Sequence, residues 1–114
     1  NMGEYKLYDL SALTEMSGGS EDFVNKMVGM FQDLTPGIIE RMNFSFANGD
    51  YIDLGAAAHK IKPSIDMMGI TLLKEKIREL EQGAKNNTPA HEIKILLEEV
   101  EGVLTEVLNQ LNDR

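Results

Sequence analysis

His59 and Lys62 are the residues of this chain whose types and spacing suggest chemistry. A neutral imidazole nitrogen is a nucleophile near neutral pH, and a lysine one helical turn on places a positive charge beside it. That pair suits an anionic electrophile such as a transferable phosphoryl group, for which alignment and charge neutralisation do most of the catalysis. The neighbouring residues put both side chains on one surface. Leu54, Ala58, Ile61, Ile65, Met68 and Leu72 recur at helical spacing. At about 100° per residue, His59 points away from the middle of that apolar stripe and Lys62 falls within roughly 60° of it. An exposed His beside a Lys is also what an ordinary solvated helix face presents, so spacing alone leaves both readings open.

Lys60 and Lys62 form a local positive spot on an acidic background, since 19 acidic residues outweigh 11 basic ones for a net charge of −8. Nucleic-acid binding needs a cationic surface that displaces counterions, and no basic block exists here. Anionic membrane surfaces are disfavoured on the same ground. With no cysteine there is no disulfide framework and no thiolate metal site. No glycine-rich phosphate loop is present, because Gly18-Gly19 is too isolated to form one. His91, the only other histidine, falls in the first turn of the last helical pattern and reads as a surface residue. No ligand spacing joins it to His59 in a metal site. Glu21-Asp22 and Glu98-Glu99 are adjacent in sequence, so each pair splits across a helix surface.

Periodicity predicts helix nearly everywhere and no strand. Asp9 is placed to cap a short first helix running to about Ser17, which Gly18-Gly19 ends. Ser20 caps the next, with Glu21 and Asp22 suited to the dipole of its first turn. Phe23, Met27, Met30, Phe31, Leu34, Ile38 and Met42 mark its inner face, and the stripe keeps its phase across Pro36, predicting one bent helix. Asp50 caps the His59 helix, and Pro63 within it leaves the His59 carbonyl without its helical partner. Gly69 marks the joint to a helix whose stripe is Leu73, Ile77, Leu80 and Ala84. Thr88 as hydroxyl cap and Pro89 as first helical residue open the last helix, which carries a dense apolar stripe from Ile93 to Leu111. The expected fold is all-α: an antiparallel up-and-down four-helix bundle over residues 20–48, 50–68, 70–86 and 88–112, with a short extra N-terminal helix across one end. The 114 residues suffice for one core, giving a single domain over residues 1–114. No run approaches the roughly 18 apolar residues of a membrane span, and no charged-then-apolar leader opens the chain. Asn1 ahead of Met2 reads as an added residue, and a free-standing cytoplasmic protein is the expectation.

The run Ala57-Ala58-His59-Lys60-Ile61-Lys62, with Gly69 ten positions after the histidine, closely resembles the histidine-containing phosphotransfer (HPt) domain of multistep two-component phosphorelays. The resemblance covers nearly the whole chain. Tyr8 to Leu13 and Gly18 to Phe23 look like the opening segment of these domains, and Leu80-Glu81 falls where the family keeps a polar residue near the histidine. Pro63 departs from the pattern, standing where the family most often has glycine.

The resemblance implies that His59 takes a phosphoryl group from the aspartate of a receiver domain and passes it to another response-regulator receiver, without ATP-dependent kinase activity of its own. The implied partners are response-regulator receivers and a hybrid sensor histidine kinase. Lys62 would supply a cation to the phosphoryl oxygens. Glu81 is either the group that orients the imidazole or a solvated surface carboxylate. Lys60, Pro63, Met67 and Lys85 are the candidate partner-binding residues, and Leu10, Leu13 and Met16 of the first helix either join that surface or cap the bundle end. No cofactor is expected in this chain, Mg²⁺ coming from the acidic pocket of the receiver. Two rivals differ in class. A helical adaptor that is never phosphorylated separates from the relay protein by phosphohistidine detection. A metal- or ligand-binding four-helix bundle is disfavoured by inward stripes that are almost purely apolar.

Overall fold

The computed structural model describes residues 5–114, so the reading of Asn1 as an addition before Met2 lies outside it. The helices are α1 (Ser11–Met16), α2 (Glu21–Ala47), α3 (Tyr51–Met67), α4 (Lys74–Lys85) and α5 (Ala90–Asn112), with a 3₁₀ turn at Thr71–Leu73 ahead of α4. Among the described residues there is no strand. α2 packs on α3, α3 on α4, α4 on α5, and α5 returns to α2, while α1 lies against α2. Connections of a few residues make successive helices antiparallel, and the ring closes as the expected bundle.

Local chemistry sets the boundaries. The Ser20 side chain accepts the Phe23 N–H at 3.2 Å and starts α2. α2 then continues unbroken through Pro36. Asp50 accepts the Asp53 N–H at 3.0 Å and starts α3, after a turn in which Gly49 takes φ of 68°. Leu10, not Asp9, is the N-cap of α1, its carbonyl accepting the Thr14 N–H at 3.0 Å; Asp9 stands one residue ahead and accepts the Ser11 N–H at 2.9 Å. Gly69, at φ of 61°, is the joint between α3 and the 3₁₀ turn, and a side-chain carbon there would collide with the Asp9 backbone. The N-terminal segment crosses the bundle end at that point, with the Asp9 N–H on the Met68 carbonyl at 2.9 Å and the Leu7 N–H on the Gln110 side chain at 2.8 Å.

Several expectations shift. The inner face of α2 is Val24, Val28, Phe31, Thr35, Ile38, Met42 and Ser45, while Met30 is exposed and Phe23, Met27 and Leu34 are half-buried. Phe31, Ile38 and Met42 are buried as expected; α2 is turned slightly about its axis, so that Val24, Val28 and Thr35 complete the face in place of Phe23, Met27 and Leu34. Leu72 is exposed, because the left-handed Gly69 ends the phase of α3 and hands burial to Ile70 and Leu73. α4 accordingly begins at Lys74 and not at residue 70. Thr88 makes no capping bond; Pro89 is the N-cap, its carbonyl accepting the Glu92 and Ile93 N–H groups. Leu13 is fully buried in the core and is unavailable to a partner. The inner stripes of α4 and α5 are as expected.

Candidate functional site

α3 and α4 approach closely where their contacting residues are small. Gly55 has no side chain, and a Cβ built on it would lie 3.5 Å from Ala84 Cβ and 3.9 Å from the Glu81 carbonyl oxygen. The helices are antiparallel, so one turn from this crossing His59 on α3 faces Glu81 on α4. His59 Nδ1 lies 2.7 Å from Glu81 Oε2, and Lys62 Nζ donates to Glu81 Oε1 at 2.8 Å. Lys85, one turn beyond Glu81, holds its ammonium 3.7 Å from Oε2.

Burial divides these groups sharply. The His59 side chain is 70% exposed, whereas that of Glu81 is 4% exposed. Glu81 is therefore no solvated surface carboxylate. An ionised carboxylate at such a place requires partners, because desolvation favours its neutral form. The hydrogen bond from Lys62, reinforced by that from His59, overcomes this and holds the Glu81 carboxyl below its ordinary range. An ionised carboxylate only accepts, so the proton on the imidazole is at Nδ1. Nε2 then carries the lone pair, on the edge of the ring away from Glu81.

The other sequence-derived candidates spread along α3 and α4. Lys60 and Pro63 are exposed, the latter one turn past His59. Met67 is half-buried against the core, two turns past His59. Leu10 is half-buried and Met16 exposed on the N-terminal side of the fold. His91 is exposed. Among the described residues no group of three or more histidine, aspartate or glutamate side chains is placed to hold a metal ion, and no helix is long and apolar enough to cross a membrane.

An apolar groove opens on the side of His59 toward the N-terminus of α3, opposite to Met67. It runs between Tyr51, Ile52 and Ala56 of α3 and Ala84 and Lys85 of α4. Ile52 is 90% exposed at its mouth. Lys85 is among the sequence-derived partner-binding candidates, whereas Tyr51, Ile52 and Ala56 are not, although the sequence carries a signal: Ile52 precedes His59 by seven positions, which places the two within about 20° on the helix.

Neither a curated protein nor a solved structure matched the chain. A family model for the Hpt domain matches residues 26–113, from early in α2 to the end of α5. Hpt domains are histidine-containing phosphotransfer modules that work with the receiver domains and histidine kinases of two-component systems, and they are carriers rather than kinases. An exposed histidine on the second helix of a four-helix bundle, and a family match across most of the molecule, agree: this chain belongs to the Hpt domain family.

Proposed function

We propose that His59 accepts a phosphoryl group from the aspartyl phosphate of a receiver domain, in a hybrid sensor kinase, and donates it to the aspartate of a second, response-regulator receiver. The observation that carries this reading is the 2.7 Å contact of Nδ1 with a buried carboxylate, which leaves a nucleophilic Nε2 toward solvent. The Nε2 lone pair attacks phosphorus as the bond between phosphorus and the aspartyl oxygen breaks, its electron pair returning to the donor carboxylate. The imidazole keeps its Nδ1 proton and becomes cationic, facing Glu81. In the second transfer the acceptor carboxylate attacks phosphorus and the N–P pair returns to Nε2. Little proton movement is required, so the work of this chain is to hold the ring in place and balance charge.

The groove beside His59 supports a docking role for Ile52, Tyr51 and Ala56 together with Lys85, while Lys60 and Pro63 are exposed on the other side of His59 and would extend that surface along α3. Mg²⁺ would belong to the receiver, whose carboxylates are the hard oxygen ligands it needs. Mixing this protein with a phosphorylated receiver and detecting phosphohistidine tests the reading. Formation of phosphate on His59 supports it; a receiver that keeps its phosphate against every pairing from the same genome turns the assignment toward an unphosphorylated adaptor. Calorimetric titration with Mg²⁺ alone should show no stoichiometric site on this chain.

A further inference from the structure

We propose, resting on the reading that His59 carries a phosphoryl group, that the two lysines at Glu81 have different tasks: Lys62 is the fixed counter-ion of the orienting carboxylate, and Lys85 is the mobile cation that leaves Glu81 for the phosphoryl oxygens on Nε2. Helical spacing favours the opposite assignment, since Lys62 shares the face of His59. The geometry around Glu81 separates the two.

Lys62 donates to Oε1 at 2.8 Å, its side chain is 25% exposed, and it is the largest influence holding Glu81 ionised. Drawing it away would strip a buried charge of its main partner and impose the desolvation penalty of that charge. Lys85 is in another position. Its ammonium is 3.7 Å from Oε2, past hydrogen-bond length, and that oxygen already accepts from His59. Its side chain is 59% exposed, so the ammonium is largely solvated, and leaving a carboxylate that keeps its closer hydrogen bonds from Lys62 and His59 costs it little. It also lies at the last residue of α4 and lines the same groove as His59, which Lys62 does not.

His59 Nδ1 and the Lys85 ammonium converge on one carboxylate oxygen, so the ring and the cation lie side by side before any phosphate arrives. A phosphoryl group brings about two negative charges to Nε2. Lys85 is the cation with both the freedom and the position to meet them. Glu81 then retains Lys62 and the newly cationic imidazole, so every charge in the site has a partner before and after transfer. Lys62 is a positioning residue in this scheme, acting on the phosphoryl group only through Glu81 and the ring.

Phosphoramidate phosphorylates imidazoles without a protein donor, so it probes the charges around His59 independently of any receiver. The full chain carrying His91→Gln is treated with phosphoramidate while the lysine side-chain nitrogens and the His59 Nδ1 proton are followed by NMR. The Lys85 signal should move on phosphorylation and that of Lys62 should stay. Lys85→Gln should shorten the phosphohistidine half-life about threefold, the scale of one exposed ionic contact, with Lys85→Arg restoring it. Lys62→Gln should instead displace the Nδ1 proton signal in the unmodified protein. A moving Lys62 signal with a stationary Lys85, or a half-life indifferent to Lys85→Gln, overturns the division of tasks. If receivers fail to transfer while phosphoramidate succeeds, the relay reading fails and the division stands; an His59 that phosphoramidate cannot label overturns both.

Discussion

Gly55 of α3 lies against Ala84 of α4, closely enough that an added Cβ would touch the alanine at 3.5 Å. The His59 pairing with Glu81 depends on this approach, because a larger residue at either place would push the two helices apart one turn from the site. Gly55→Ala keeps an ordinary contact distance and gains helix propensity, so it should stabilise the fold by about 0.5–1 kcal/mol. Gly55→Leu should destabilise it by about 1–3 kcal/mol through overpacking and should weaken the Nδ1–H hydrogen bond. Denaturant unfolding with NMR of the imidazole proton measures both effects.

His59→Gln should abolish phosphohistidine formation at this position while shifting stability by about 1 kcal/mol or less, since the side chain is largely exposed. The comparison needs a phosphotransfer assay and an unfolding curve on the same preparation. Near-normal phosphate uptake by the variant would remove His59 as acceptor.

Asp53 ties the start of α3 to the end of α2, accepting from Arg41 at 2.6 Å and from the Ser45 hydroxyl. These bonds, Arg41 first, lower its carboxyl from 3.8 to about 2. A lowered folded-state value means that the contribution to stability is fully present above pH 3.8 and is lost as pH falls through about 2. Asp53→Asn should therefore be less stable than the parent at neutral pH, and the difference should shrink as the solution is acidified across that window. Denaturant midpoints taken from pH 7 down to the acid limit of folding test the sign.

Ile52→Asp should leave the unfolding free energy within about 0.5 kcal/mol of the parent's, because the native side chain is almost wholly in solvent and an acid suits the first turn of a helix. Transfer from a phosphorylated receiver should slow about tenfold, since a charge enters the apolar part of the groove. Transfer rates measured against receiver concentration check it, and a rate equal to the parent's would place the docking surface elsewhere.

The sequence alone determined what depends on residues close along the chain. Helical period and the caps Ser20 and Asp50 gave the helices, and the turn residues between them gave the antiparallel order. His59 was legible as exposed because the apolar stripe of its own helix defines the outward direction. Tertiary structure decided what depends on how helices turn about their axes and how near they come. Phe31, Ile38 and Met42 of α2 fit a face completed by Met27 and Met30 as well as one completed by Val24 and Val28, and only packing against α3 and α5 selects the second. Leu13 looked as fit for an interface as for a core until α1 was laid on α2. Glu81 is 22 residues from His59, and no local pattern reports that it is buried. Its environment comes from the Gly55–Ala84 crossing, which brings a carboxylate between an imidazole and two lysines and keeps water from it.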